Sequence, residues 1–311
     1  MINRQTASGW IITLAVLVCS RPLPAGGEGV WRPLAPMPTA RQEISTAVLN
    51  GLVYVIGGYN TAGQSTNVVE VYDPTTDLWS TGAPLPIVTD HNASAVAAGI
   101  LFTFGGLSTR VFAYYPEKDL WYEAASMNYR HGGTPAVGVI DDLIYVAGGN
   151  GPGMAGNEVE VYDPFQDTWT VLSPMNIPRN HTAGGAIDGK LYVAGGRGHP
   201  EAASALEVYD PAADAWTMLA PLPTGRSGIG SGVVNNQLYI FGGEIPGVFA
   251  EVELYNPAED AWRRLADMPT PRHGLFGAVI DNAIYLPGGA IVQGFGASDV
   301  NEVFVVPAPQ N

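Results

Sequence analysis

Six apolar runs in this sequence end in a Gly-Gly pair, and six tryptophans recur with nearly the same spacing. Both series advance by 42 to 48 residues per step. A fixed period of this length marks a repeat architecture, in which each unit supplies one supersecondary element and stacks on its neighbours. Most of the 311-residue chain is therefore expected to fold as one array of similar units.

Each unit is expected to contain four β-strands. The runs that end in Gly-Gly (VYVIGG, LFTFGG, IYVAGG, LYVAGG, LYIFGG and IYLPGG) are rich in β-branched and aromatic residues and are bounded by turn residues. A short polar turn such as Asn50-Gly51 or Asp188-Gly189 joins the preceding apolar segment to most of these runs, which favours a hairpin. The phrase Tyr-x-Pro-x-x-Asp-x-Trp then supplies two more strands around a tight turn. Four strands per repeat indicate a propeller blade.

These phrases resemble the kelch repeat family, whose signature is a Gly-Gly pair, a Tyr about a dozen residues later and a Trp about six after that. The resemblance covers residues 31–306 and implies an all-β, six-bladed kelch β-propeller with four antiparallel strands per blade. The repeat positions, for which we expect structural roles in packing and turns, are Gly57, Gly58, Tyr72, Trp79, Gly105, Gly106, Tyr114, Trp121, Gly148, Gly149, Tyr162, Trp169, Gly195, Gly196, Tyr209, Trp216, Gly242, Gly243, Tyr255, Trp262, Gly288 and Gly289.

The two ends of the repeat array are incomplete in complementary ways. A lone strand sequence surrounds Trp31, and the last unit, which ends in VNEVFVVP, has three strands and no Tyr/Trp phrase. Pairing the first strand with the last three completes one blade and closes the ring without an exposed edge. Residues 307–311 then form a C-terminal tail.

Residues 1–27 have the composition of a secretory signal peptide. Arg4 precedes the apolar stretch WIITLAVLVC, and small residues follow it. The stretch is too short for a membrane span, which needs roughly 20 residues. Bacterial lipoprotein signals resemble the pattern Leu-x-Gly/Ala-Cys. Here Val18 stands before Cys19 in place of Gly or Ala, so a lipid anchor at Cys19 is not expected. We therefore expect a secreted or periplasmic protein with no transmembrane span after cleavage.

Composition excludes several function classes. Cys19 is the only cysteine, so the chain after residue 27 offers no cysteine nucleophile, thiolate metal site or cysteine-linked cofactor. The formal net charge of −15 argues against nucleic acid as a partner. Neither a Ser-His-Asp motif nor a phosphate loop occurs, and no cofactor is expected.

A cluster of basic side chains is predicted on one face of the propeller, around the mouth of the central channel. The segments that lead into the first strand of each blade carry arginine or histidine in nearly the same register, namely Arg41, Arg130, Arg179, Arg226, Arg272, His91, His131, His181 and His273. Asp90 interrupts the series, so the sequence predicts a positive ring with one acidic break. These residues either bind a ligand or brace neighbouring loops by bonds to carbonyl groups.

The kelch resemblance also suggests what such a face binds. In the kelch substrate adaptors of ubiquitin ligases, arginines at this register reach an acidic peptide, and Arg226 is the position most similar to them, followed by Arg179. The chain is accordingly expected to be a non-catalytic binder of a protein or carbohydrate ligand. The oligomeric state stays open.

Resemblance to bacterial periplasmic kelch propellers that mutarotate sialic acid gives the alternative, a sugar mutarotase or epimerase. Opening a sugar ring calls for an acid/base group and an arginine for the carboxylate, for which Glu244 with Arg226 or Arg272 is the candidate set. The iron motif of nitrile-specifier proteins is absent. Without paired ligand spacing, His91, His131 and His181 do not predict a metal site, and none is expected.

Overall fold

Six four-stranded antiparallel sheets, the blades, follow one another around a central axis. The computed structural model describes residues 29–150 and 155–308. The first strand of each blade contacts the first strands of the two neighbouring blades, and the series closes on itself. The all-β, six-bladed propeller predicted from the repeat is thereby confirmed, whereas the predicted signal segment 1–27 and Cys19 lie outside the described residues.

The blade strands, in order from the axis outward, have the following bounds. Blades one to three contain β3 (Ser45–Leu49), β4 (Leu52–Ile56), β6 (Val69–Asp73) and β7 (Leu78–Thr81); β8 (Asn92–Ala97), β9 (Ile100–Gly105), β10 (Val111–Tyr115) and β11 (Leu120–Ala124); β12 (Ala136–Ile140), β13 (Leu143–Ala147), β14 (Val159–Asp163) and β15 (Thr168–Val171). Blades four to six contain β16 (Ala183–Ile187), β17 (Lys190–Ala194), β18 (Leu206–Asp210) and β19 (Ala215–Met218); β20 (Gly230–Val234), β21 (Gln237–Phe241), β22 (Val252–Asn256) and β23 (Ala261–Arg264); β24 (Ala278–Ile280), β25 (Ala283–Pro287), β26 (Asn301–Val305) and β1 (Val30–Pro33). The described residues also form β2 (Arg41–Gln42), which pairs with β5 (Tyr59–Asn60), and a 3-10 turn, Ala202–Ser204.

The N-terminal strand closes the ring, as predicted. β1 pairs antiparallel with β26, and Trp31 lies opposite Phe304. Their ring centroids are 5.0 Å apart, and Trp31 also meets Phe241 of blade five edge-on at 5.8 Å. In the other five blades a Tyr and a Trp face each other at 4.9 to 5.2 Å. Phe304 and Trp31 therefore supply the aromatic pair that the last repeat lacks in sequence.

In five of the six blades the Tyr-x-Pro-x-x-Asp-x-Trp phrase ties the blade to the segment that leaves the blade before it. In blade three, the Asp167 carboxylate accepts from the Tyr162 hydroxyl and from the Ala125 amide, both at 2.7 Å. Trp169 Nε1 donates to the Ala125 carbonyl at 2.9 Å. Blades one, two, four and five repeat these three bonds with their own residues. The phrase is therefore an inter-blade connector.

Replacing Asp167 by alanine is expected to lower the free energy of unfolding by about 2 kcal/mol, because a buried tyrosine hydroxyl and a backbone amide both lose their acceptor. Alanine would also have to adopt the positive φ of 53° found at this position. The matched control is Gln166→Ala, a neighbouring exposed turn residue, for which a change within about 0.5 kcal/mol is expected. Denaturant unfolding measures both values, and equal stabilities would contradict the connector role.

The Gly-Gly pairs lie at the end of the second strand, where the next blade approaches closely. Gly242 has a φ of +56°, and a Cβ there would lie 2.2 Å from the Arg272 carbonyl oxygen. That distance is below any van der Waals contact. Glycine is therefore needed for inter-blade packing at this site, and a phosphate-binding role is not needed to explain it.

The axis of the propeller is hollow between the six first strands. A cavity of about 440 Å³ is lined there by small and β-branched residues, among them Ala95, Gly138, Gly185 and Val233. No helix in the described residues is long and apolar enough to cross a membrane.

Candidate functional site

Four of the five arginines predicted at the channel mouth lie inside the blades. Arg41, Arg179, Arg226 and Arg272 have no exposed surface. Their guanidinium groups donate to backbone carbonyls, as Arg179 does to Val193 at 3.0 Å. The prediction of a positive surface ring is corrected for these four residues, because their charge is directed into the blade. That these four arginines contact a ligand stays a prediction, and their burial argues against it.

A buried glutamate pairs with each of these arginines. The glutamate stands two residues before the aromatic residue of the third strand, so it faces the arginine across the second strand. The pairs are Arg41–Glu70 at 2.8 Å, Arg179–Glu207 at 2.5 Å, Arg272–Glu302 at 2.8 Å, and Arg226–Glu253. Burial lowers the pKa of every one of these arginines, and its glutamate opposes that shift. Since both charges are withdrawn from water, each depends on the other.

Blades two and three depart from this arrangement. In blade three the buried His131 takes the place that the buried arginine has in other blades, and its Nε2 lies 3.2 Å from Glu160. The neighbouring Arg130 is exposed. In blade two Thr89 and Phe112 occupy the arginine and glutamate positions, so both members of the pair are absent together. His131 therefore has a bracing role in its blade and lies apart from the other predicted histidines.

The backbone forms a closed ring at the end of the central channel, which we call the axial ring. It consists of Glu43, His91, Gly133, Thr134, His181, Gly228 and Gly274. One amide per blade donates to a carbonyl of the blade before it, at 2.5 to 3.2 Å, with the last bond running from Glu43 back to Gly274. All seven residues have positive φ, between 51° and 64°. Non-glycine residues rarely adopt this conformation, and such strain concentrates at functional sites.

Three side chains of the axial ring meet on the axis. One ligand atom each of Glu43, His91 and His181 lies within 4.8 Å of the other two. His91 Nε2 is 3.4 Å from Glu43 Oε2, and the His91 and His181 rings meet edge-on with centroids 4.9 Å apart. His273 adds a third ring, with Nδ1 at 3.8 Å from Glu43 Oε1. We call these four residues the axial cluster.

Arg197 and Glu244 border the axial cluster on the loop side. The Arg197 guanidinium donates to His181 Nε2 and to Glu244 Oε1, both at 2.6 Å. The Gly294 amide donates to Glu244 Oε2 at 2.8 Å, so the blade-six loop covers this carboxylate. The Tyr59 ring lies against His91, with centroids 5.5 Å apart. The cluster thus combines carboxylates, imidazoles and a guanidinium in one partly covered site.

The electrostatic environment separates two of the histidines. Burial works against protonation of His91, but the carboxylates of Glu43 and Asp90 outweigh it and raise its pKa. Burial and the neighbouring His91 and Arg197 hold the pKa of His181 well below its ordinary range. Burial, helped by Asp90 and Glu43, raises the pKa of Tyr59 to about 12. Two imidazoles in contact therefore differ in basicity, which is the arrangement expected of a chemically specialised site.

The predicted enzymatic pairing is not formed. Glu244 was expected beside Arg226 or Arg272, but those guanidinium groups pair with buried glutamates inside blades five and six. Glu244 is only 2% exposed and bonds to Arg197 instead. The cause is the position of each arginine in its repeat. Arg226 and Arg272 precede a first strand, and their side chains turn into the sheet. Arg197 lies in the loop after a Gly-Gly pair, and its side chain reaches Glu244 across the channel mouth.

Sequence reasoning missed Glu43 and the role of Arg197, although a signal for Glu43 was present. Glu43 stands two residues after Arg41, in the register of His91, His181, Gly228 and Gly274. Aligning the repeats at that position places Glu43 with the histidines. The sequence also carries a signal for the buried arginine–glutamate pairs. Blade two has Thr89 at the arginine position and Phe112 at the glutamate position, so it lacks both partners together.

Comparison with known proteins agrees with the architecture. A family model described as KLHDC2/KLHL20/DRC7 Kelch-repeats domain matches residues 128–289, more than half of the chain, and a Kelch motif model matches residues 40–86. Kelch-like protein 21 of Rattus norvegicus is 31% identical over 189 residues, which cover 48% of this chain and 32% of that protein. A putative F-box/kelch-repeat protein of Arabidopsis thaliana is 33% identical over 140 residues, covering 45% and 39%.

A solved structure, that of YjhT, shares the fold. It superposes with a TM-score of 0.73 at 18% identity and covers 88% of this chain and 97% of its own. The chain spans only about a third of the length of the curated relatives it matches. The repeat, the closed six-bladed ring and the matched family models agree, and the chain belongs to the kelch-repeat family of β-propeller proteins.

Proposed function

We propose that this propeller is a recognition module that binds a partner protein through its loop face. The loop face comprises the loops between second and third strands together with the segments that enter the first strands. The supporting observation is a set of exposed apolar side chains on the loops of blades five and six, namely Ile245, Ile291, Val292 and Phe295. The Gly247 amide donates to the Gln293 side chain at 2.6 Å and joins the two loops.

The position of these side chains favours a protein partner. Apolar residues beside polar groups at a channel mouth are the usual composition of a recognition site. Arg130 and the partly exposed Arg197 are basic groups on the same face. In a chain with net charge −15, they are placed to contact acidic side chains of a partner. The binding surface is therefore on the predicted face, but the loops, and not the buried arginines, contact the partner.

The test uses a photo-crosslinking amino acid at Ile291 to identify the partner, followed by affinity measurement with purified proteins. Ile291→Asp is expected to weaken binding by about tenfold or more, because a charge would be buried in the contact. Phe165→Asp is the matched control, since Phe165 is 72% exposed on a turn at the opposite end of blade three. Equal affinities for wild type and Ile291→Asp would refute the proposed surface.

A second candidate, acid/base chemistry on an acidic sugar, has one observation in its favour. Glu244 and Arg197 lie together beside His181, so a carboxylate, a guanidinium and an imidazole are within reach of one ligand. The resemblance to sialic acid mutarotases supplies the substrate class, with Arg197 in the place expected of Arg226 or Arg272. If sialic acid raises the unfolding midpoint of wild type but not of Arg197→Ala, and its anomers interconvert faster, this function is favoured.

A further inference from the structure

We infer that the axial cluster is a binding site for a divalent transition-metal ion, with Glu43, His91 and His181 as ligands. Two imidazoles and one carboxylate suit Zn²⁺ or Fe²⁺ and leave coordination positions open. Three features of the described residues carry this inference: an underpaired buried carboxylate, the orientation of the imidazole nitrogens, and the strained backbone at all three ligand positions. The inference is independent of the proposed protein partner.

Glu43 differs from the other buried glutamates of the blades. Glu70, Glu207 and Glu302 each accept a bond of 2.5 to 2.8 Å from an arginine. Glu43 is 4% exposed, yet among the described residues its carboxylate has only long contacts: Thr134 Oγ1 and His91 Nε2, both at 3.4 Å, and His273 Nδ1 at 3.8 Å. A buried carboxylate with such loose partners is costly, and a cation between these groups would compensate its charge.

The imidazoles of His91 and His181 are oriented as metal ligands. His91 Nδ1 lies 2.5 Å from Asp90 Oδ1, and His181 Nδ1 lies 2.7 Å from Asn180 Oδ1. Because these oxygens accept, each Nδ1 carries the proton and each Nε2 is directed to the axis. Metal-ligating histidines typically donate their second nitrogen to a carboxylate or carbonyl oxygen in this way.

His273 provides an independent observation. The ring has no exposed surface, and its Nε2 donates to the Val292 carbonyl at 2.9 Å. In the neutral imidazole its Nδ1 is then an acceptor, and within the described part of the chain it has no hydrogen-bond partner. This nitrogen faces the Glu43 carboxylate, another acceptor. Two acceptors directed at each other inside a protein indicate a place for a cation.

The backbone of the axial ring is strained at each of the three ligand residues. Glu43, His91 and His181 have φ values of 51° to 52°, whereas Gly133, Gly228 and Gly274 occupy the ring in the other three blades. Glycine adopts this conformation without a steric penalty, but side chains in it cost of order 1–3 kcal/mol each. Four non-glycine residues of the ring carry this strain: the three that supply the ligand atoms, and Thr134, whose hydroxyl lies 3.4 Å from the Glu43 carboxylate.

The geometry is close to that of a coordinated ion. Ligand atoms at 2.0–2.1 Å from a tetrahedral Zn²⁺ lie about 3.4 Å apart. Glu43 and His91 already have this separation, whereas His181 needs to move inward. Arg197 donates to His181 Nε2 and therefore competes with an ion for that lone pair. Its side chain is 37% exposed, so it can turn outward to solvent while the ion binds.

The experiment is titration calorimetry of Zn²⁺ into the untagged full chain after removal of metal with a chelator, with Co²⁺ absorption spectra as a report on imidazole coordination. We expect one ion per chain. His91→Asn and His181→Asn should each weaken binding by at least about 10–100-fold, the loss typical when even a residue that orients a metal ligand is removed. Asparagine tolerates positive φ, so both variants should keep the fold, which thermal unfolding verifies.

Two further variants make the test specific. Arg197→Gln should bind Zn²⁺ more tightly, because the competing donor at His181 is removed. His199→Asn, at an exposed histidine of the same loop, should bind as wild type does. The inference is overturned if wild type does not bind Zn²⁺, if binding survives both His91→Asn and His181→Asn, or if Arg197→Gln binds less tightly than wild type.

Discussion

Replacing Glu207 by alanine is expected to lower the free energy of unfolding by about 3–5 kcal/mol, the range found when one partner of a buried ion pair is removed. Glu207 and Arg179 both have no exposed side-chain surface, and they lie 2.5 Å apart. After the substitution the Arg179 guanidinium stays in the blade without a counter-charge. The other oxygen contacts of Glu207, to the side chain and amide of Asn176 and to the Ile177 amide, are lost as well.

The matched control is an ion pair of the same chemistry at the surface. Glu123 pairs with Arg110 at 2.7 Å, and the two side chains are 47% and 41% exposed. Glu123→Ala is expected to change stability by no more than about 1 kcal/mol, since water screens the pair. Urea unfolding of both variants and wild type, with a common slope, measures the difference. A Glu207→Ala value as small as that of Glu123→Ala would show that the buried pairs do not stabilise the blades.

The architecture was predictable because its causes are local and repeated. A Gly-Gly pair, a hairpin turn and a Tyr/Trp phrase each specify a short segment, and six-fold recurrence leaves few ways to assemble them. Ring closure also followed from sequence, because a single strand at one end and three at the other complete one blade. Even the missing aromatic pair of the last repeat is supplied by Trp31 and Phe304.

The candidate site was predicted less well, because the direction of a side chain in a loop is not visible in spacing. Arg41 and Glu43 are two residues apart, yet the first enters the blade and the second points to the axis. The left-handed backbone conformation of Glu43, with a φ of 51°, causes this divergence, and glutamate is not a residue type that marks this conformation in a sequence. The repeat register groups His131 with the three histidines of the axial cluster, although it takes the place of an arginine in its own blade.

A chain that begins at Leu34 is expected to lose most of its stability relative to one that begins at Gly29. The deletion removes β1, and with it the four residues that pair with β26 and the Trp31 ring packed on Phe241 and Phe304. Losing a large aromatic side chain alone typically costs about 3–5 kcal/mol, and a whole domain is stable by only about 5–15 kcal/mol. The exposed edge of β26 would also be free to pair with another chain.

Thermal unfolding and size-exclusion chromatography of the two chains measure this effect. We expect a strongly lowered unfolding midpoint and self-association for the shorter chain, and partial recovery of the midpoint when a synthetic peptide of residues 29–34 is added. Arg32→Ala in the longer chain is the control, because Arg32 is exposed on β1 and should change stability by no more than about 0.5 kcal/mol. If the shorter chain instead melts at the same temperature as the longer one, blade six is stable with three strands. The first strand would then be an addition to a ring that the inner strands already close.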